Sequence, residues 1–272
     1  MKIPRKILGT VRQCIYCQAT QKPLQTEHIV PYGLNGPWEL LEASCMECAK
    51  ITSAFETDVL RNMLLAARTK LHFPTRHKHN RPERFCLTIK RRGQEETIQV
   101  PLKVHFTTMM LPIFALPVCL EQRCYKKGID LLGVVTIQVG SPPAQQVAKS
   151  LGTETLAVSV TYQPVAFARL LAKIAYGFTV AVYGLNTIRE AYVLPSIMGK
   201  SDDVGRWVGC STNNSLAPSN DLHKIELSSI NGEIHCNVRL FARFNTPEYS
   251  VIVGHVSEHS GTECGPPIHS KI

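Results

Sequence analysis

Along the first third of the chain the apolar positions change period. Thr26 to Val30 is β-prone and stops at Pro31, after which Gly33, Gly36 and Pro37 mark a turn into a second short apolar stretch at Trp38 to Leu41. Two short strands about a turn predict a hairpin. From Cys48 onward the spacing becomes three and four: Phe55, Val59, Met63 and Ala66 or Ala67 share one face, and no Gly or Pro intervenes before Pro74. The first unit therefore reads β-β-α. Beyond residue 93, strand-like stretches at Glu96 to Phe106, Leu156 to Tyr162, Glu233 to Phe244 and Tyr249 to Val256 alternate with a helix around Val165 to Tyr176, and loops fall near Gly140 to Pro143 and Gly199 to Gly209. The expected class is α+β, divided into a unit over residues 1–67, a segment over 68–92, a second α+β domain over 93–256 and a flexible tail over 257–272.

Composition agrees with a folded chain of one or two domains: 272 residues, 44% hydrophobic and 19% charged. The net charge of +9 is unevenly placed. Residues 1–92 carry 16 Lys+Arg against 7 Asp+Glu, which leaves 14 against 14 for the rest. Segregation of this kind points to a polyanion partner, because neutralising phosphates releases condensed counterions. The basic residues Arg68, Lys70, Arg76, Lys78, Arg81, Arg84, Lys90, Arg91 and Arg92, with Glu83 as the single acid among them, read as a phosphate-gripping arm rather than only a solvated linker. His72, His77 and His79 within it read as phosphate or solvent contacts. The most apolar window, Pro164 to Tyr183, is interrupted by Arg169 and Lys173 and reads as a buried or amphipathic helix, not a membrane span. The first residues lack the apolar stretch of a secretory leader, so the ten cysteines are read as thiols of a reducing cytoplasm.

Four of those cysteines stand apart. Cys14-x2-Cys17 and Cys45-x2-Cys48 have the spacing of two metal knuckles, and four thiolates close a tetrahedral structural zinc site. Such a site holds together a segment too small to bury an adequate core. The spacer of residues 18–44 is long, but closure entropy grows only logarithmically with length, so working residues can sit inside it. Cys86, Cys119, Cys124, Cys210, Cys236 and Cys264 are read as ordinary thiols, although Cys119 and Cys124 have the spacing of a second clip.

Between the knuckles run Glu27-His28-Ile29-Val30-Pro31 and Gly33-Leu34-Asn35-Gly36, followed by Ala43-Ser44-Cys45-Met46-Glu47-Cys48. Over about the first quarter of its length the chain thus resembles the HNH endonuclease family in its zinc-knuckle form. The resemblance implies a ββα-metal unit in which His28 is the general base and Glu27 a ligand of a divalent cation. Phosphodiester hydrolysis needs both: a deprotonated water on one side of phosphorus and charge neutralisation on the other. The chain departs from the family pattern at Leu40, where many members have Asn, and at Ala49, where they have His or Asn, so the usual helix-borne ligand is missing. Ala49, Ser53 and Glu56 lie at steps of four and three on one helical face, which lets Glu56 reach a metal from one turn further along. Glu27 and Glu56 are thus expected to hold Mg²⁺ or Mn²⁺, the hard cations that prefer oxygen. The expectation is a metal-dependent endonuclease acting on DNA. Its rivals are a zinc-stabilised nucleic-acid-binding module without cleavage and a zinc-knuckle protein that contacts only other proteins; the pattern leaves oligomeric state and target preference open.

Overall fold

The computed structural model describes residues 4–76, 79, 81–121, 124, 127–212 and 219–256, with the backbone of 268–269. Of the residues singled out above, His77, Lys78, Cys264 and nearly all of the tail 257–272 lie outside the described residues.

The chain begins with β1 (Lys6–Thr10), β2 (Leu24–His28) and β3 (Trp38–Cys45), a sheet ordered β1-β3-β2. β2 and β3 form the expected antiparallel hairpin, with Glu27 opposite Leu40 and His28 opposite Glu39, and β1 runs parallel along the other edge of β3. The turn between β2 and β3 requires its glycines. A Cβ on Gly33 would stand 2.5 Å from Arg68 Nη2, and one on Gly36 would run into the Val30 carbonyl. The helix expected after the second knuckle forms with one interruption: α1 (Met46–Asp58) passes through a π-helical turn, Val59–Met63, into α2 (Leu65–Lys70).

There follow β4 (Arg84–Arg91), β5 (Gln94–Pro101), β6 (Thr108–Phe114), α3 (Val118–Glu121), β7 (Leu131–Gln138), α4 (Ala144–Leu151), β8 (Thr155–Ala157), α5 (Pro164–Tyr183) and β9 (Ile188–Ala191). The rest comprises α6 (Leu194–Ile197), α7 (Val204–Trp207), β10 (Val208–Cys210), β11 (His223–Ile230), β12 (Glu233–Leu240), β13 (Tyr249–Val256) and β14 (Ile268–His269). The chain is α+β, with a cysteine cluster near its start. Its largest sheet runs β10-β13-β12-β11-β14, with β9 on β13, while β5-β4-β8 and β6-β7 form two smaller ones. The strand at Tyr249 to Val256 has the expected span. The one expected at Leu156 to Tyr162 shrinks to β8, and those at Glu96 to Phe106 and Glu233 to Phe244 end early, at Pro101 and Leu240. A proline has no N–H to extend the first ladder, and Phe241 turns into the left-handed region to end the second.

Two expectations of organisation are corrected. The division between residues 1–67 and 93–256 does not mark a break in packing, because Ile15, Ile29, Trp38 and Phe55 share one core with Phe167, Ile174, Val238 and Tyr249. The ββα unit cannot bury its own apolar face, and α5 covers it. This helix packs against α1 and also against β12 and β13. Its ties to the first unit are specific: Trp38 and Phe178 rings lie 5.9 Å apart, the Arg169 guanidinium sits 4.6 Å over the Phe55 ring, and Tyr176 donates to the Ile15 carbonyl at 2.6 Å. Long and apolar enough by composition to cross a membrane, α5 is mostly buried inside the protein and serves as its central core helix. The second correction concerns the basic segment 68–92, both ends of which belong to regular elements. Arg68 and Lys70 belong to α2, and Arg84 to Arg91 form the middle strand of β5-β4-β8. Beneath the charges, Leu87 and Ile89 alternate inward and bury against Val100 and Val147 in a small separate core.

Candidate functional site

The loop between β1 and β2 supplies Cys14 and Cys17, while the end of β3 and the first turn of α1 supply Cys45 and Cys48. Their four sulfur atoms all lie within 4.8 Å of one another, with Cys17 exposed and the other three buried. Thiols so arranged can hold a tetrahedral metal ion such as zinc. Burial, and then the neighbouring thiols, push Cys48 well above the ordinary thiol range. A bound divalent cation reverses that penalty by stabilising thiolates. Among the described residues no second cluster of this kind forms, and Cys119 and Cys124 belong to none.

Between β2 and α1 a cleft of about 340 Å³ is lined by Glu27, His28, Tyr32, Ala49, Ser53, Glu56, Arg61, Arg76 and Lys173, among others. Ala49, Ser53 and Glu56 all face it, so the helical spacing put the right residues on the right side. His28 is partly buried. Its Nδ1 lies 3.3 Å from Glu39 Oε1, close but not aligned as a hydrogen bond, and Arg5 Nε approaches the same oxygen at 3.1 Å. Burial foremost, then the charges of Lys173, Arg76 and Arg5, lower the imidazole pKa to about 4. The ring is neutral at pH 7, the form a general base needs.

The two carboxylates converge as expected, but on a different cation. Lys173 Nζ, on α5, lies 2.6 Å from Glu27 Oε1 and 3.0 Å from Glu56 Oε1, and donates a further short hydrogen bond to the His28 carbonyl. The lysine side chain is 1% exposed. Desolvation works against its charge, yet the two carboxylates outweigh that and hold its pKa above the ordinary value. For Glu56, burial dominates and raises the pKa. The donor set therefore does not fit Mg²⁺ or Mn²⁺. Both acids are already matched to an ammonium group, and a divalent ion, which binds oxygens at about 2.0–2.1 Å for Mg²⁺, would have to share their space with that charge. The expectation that Glu27 and Glu56 jointly hold a catalytic metal is corrected to a buried Glu27–Lys173–Glu56 triad.

The basic residues separate into two groups. Arg68 and Arg76 line the cleft, and Arg68 and Arg81 line an adjoining cavity. Arg84, Lys90, Arg91 and Arg92 line neither. Instead Arg84 donates to the Gln99 carbonyl at 2.6 Å, and Arg91 pairs with Glu96 at 2.8 Å while also donating to the Leu151 carbonyl. Lys70 is likewise committed, to the Leu102 carbonyl at 2.8 Å. The basic residues of the expected phosphate-gripping arm thus do not gather in one place: Arg68, Arg76 and Arg81 line the two hollows, while Arg84, Lys90, Arg91 and Arg92 lie on or beside β4. Two cleft residues, Lys173 and Arg61, and the neighbour of His28, Glu39, were not singled out from the sequence as parts of a site. Only Lys173 left a signal, as a lone amine inside a helix otherwise apolar enough to be buried, where a charge must find a partner.

Compared with protein-family models, curated proteins and solved structures, the chain has no match in any of the three.

Proposed function

We propose that this protein is an HNH-type endonuclease that hydrolyses phosphodiester bonds of DNA, with His28 as general base and a structural zinc ion held by Cys14, Cys17, Cys45 and Cys48. The observation that carries this reading is a neutral imidazole on the rim of a polar cleft that also receives Arg61, Arg68 and Arg76. In the proposed reaction His28 takes a proton from water as its oxygen bonds to phosphorus, and the bond to the leaving sugar oxygen breaks. Arg76, exposed and close enough for its charge to act on both His28 and Glu56, meets the negative charge of the phosphoryl group. An arriving phosphate also offsets the cations that depress His28, so the base strengthens when substrate is present. The role of the Glu27–Lys173–Glu56 triad is to fix β2, α1 and α5 around the imidazole; no step is routed through a second metal.

One observation favours a second reading. Because Lys173 stands where a catalytic cation was expected, the same cleft suits a zinc-stabilised DNA-binding module that does not cut. Zinc-loaded protein incubated with supercoiled plasmid, with and without added Mg²⁺ or Mn²⁺ and beside His28→Ala, separates the two. Nicking by the wild type that needs no added metal and is lost in the variant supports hydrolysis. Retardation of DNA that weakens steeply with salt, without any nicking, supports the binding module.

A further inference from the structure

Beside the cleft lies a second cavity of about 360 Å³, lined by Arg61, Leu65, Arg68, Thr69, Thr75, Arg81 and Pro82. Three guanidinium groups meet there and no carboxylate does. Among the described residues none of the three takes part in an ion pair with an acid. Two of the three are fixed in advance. Arg68 donates from Nε to the Gly33 carbonyl at 2.5 Å, from Nη1 to the Leu60 carbonyl at 3.0 Å and from Nη2 to the Pro74 carbonyl at 3.4 Å. Arg81 donates from Nη2 to the Phe73 carbonyl. Carbonyl oxygens hold these groups in place without neutralising them, so positive charge is left over and pre-organised toward the cavity. Arg68 shows the strain: burial and then the charges of Arg81 and Arg61 lower its pKa to about 10. Arg61, exposed in the π-helical turn, completes the set from the open side.

Arg61, Arg68 and Thr75 also line the cleft at His28, so the two hollows are lobes of one groove. We propose that the arginine cavity is the seat of a second phosphate, that of the nucleotide next to the one presented to His28. The inference rests on the proposed function for the identity of that neighbour, while the anion chemistry of the cavity stands on its own geometry. Phosphate is the shared ligand chemistry of a nucleic-acid backbone and of free inorganic phosphate. A backbone accounts for the continuity of the two lobes, since consecutive phosphates arrive tethered together.

The test measures binding separately from cleavage. In a His28→Ala background, the affinity of a short labelled DNA is followed by fluorescence anisotropy over a salt series, for the parent and for Arg61→Ala; Arg68 is left intact because it braces the turn. The expected loss is about tenfold, with the slope of log affinity against log salt shallower by about one. Replacing the phosphates one at a time with uncharged methylphosphonates should reproduce that loss at a single position, and add nothing further in Arg61→Ala. An unchanged affinity and slope in Arg61→Ala, or methylphosphonate losses that simply add to those of the variant, would overturn the proposal. So would inorganic phosphate binding that depends on Arg61 while DNA affinity does not, because the ligand would then be the free anion. Arg61-dependent DNA binding in a wild-type protein that never nicks plasmid would keep this assignment and remove hydrolysis. Nicking that is indifferent to Arg61 would do the reverse.

Discussion

The groove at His28 and the sheet β5-β4-β8 both draw on basic stretches of chain, and they put their charge to different uses. In the sheet, Arg84 and Arg91 spend their hydrogen bonds on Gln99, Glu96 and Leu151, all within the same small substructure, around a core of its own. In the groove, Arg61, Arg68, Arg76 and Arg81 form no ion pair with an acid among the described residues, and the walls around them are tied to distant parts of the chain. Lys173 reaches it from α5, and His223 from β11 donates through Nε2 to the Leu34 carbonyl at 2.9 Å. The lesson is that a run of Lys and Arg announces no function until the pairing of its backbone is known. Charge paired with an acid of its own sheet is partly neutralised; charge that meets no acid remains available to a ligand.

That contrast makes the braces of the groove far more costly to remove than the pairs of the sheet. The largest effect is expected for Cys45→Ser or for stripping the metal. Structural zinc in small domains contributes on the order of 10 kcal/mol, and the unit carrying the four thiols that can hold such an ion shares its core with α5, so the cooperative thermal transition should broaden or vanish by circular dichroism. A sharp, undisturbed transition in protein shown to lack metal would break the comparison. Next comes Lys173→Met, which strands Glu27 and Glu56 in a buried site; leaving charge uncompensated in this way costs about 3–5 kcal/mol. Urea denaturation measures it. The additional change of both acids to Gln should recover most of the loss, whereas Arg91→Ala in the sheet should cost less than about 1 kcal/mol.

Acid probes the other long brace. His223 is fully buried, and desolvation lowers its pKa to about 4, against an unfolded value of 6.5. Its contribution is therefore complete above pH 6.5 and is lost as the pH falls toward 4, because the unfolded chain takes up the proton first. The size of that loss is roughly 2 kcal/mol, read as a fall in unfolding free energy between pH 7 and pH 4.5, and His223→Gln should flatten the profile. The smallest effect concerns the ligand. Arg76→Ala should weaken DNA binding about tenfold, and Arg91→Ala less than about twofold. Equal losses would return the sheet to the binding surface.

Much of this was legible in the residues. The β-prone run ending at Pro31 and the glycine turn gave the hairpin, the steps of three and four placed Glu56 on the face that meets Glu27, and the paired knuckles brought four sulfurs together. What the sequence hid depended on partners distant in the chain. Nothing local says that the amine of Lys173 will lie between acids of β2 and α1, nor that the ββα unit will complete its core with a helix more than a hundred residues away. In Arg84 to Arg91, the two inward apolar residues Leu87 and Ile89 carried the strand signal, and the surrounding charges masked it.

The account turns on the imidazole of His28, and its most direct test is the single-turnover rate of plasmid nicking across pH 5 to 8 for wild type and His28→Ala, with zinc content matched. Wild type should nick, with a single-turnover rate at subsaturating DNA that stays level across that range because the free imidazole takes up its proton only near pH 4; the variant should be slower by about a hundredfold or more. Equal rates in the two proteins, or no nicking by either, would contradict it.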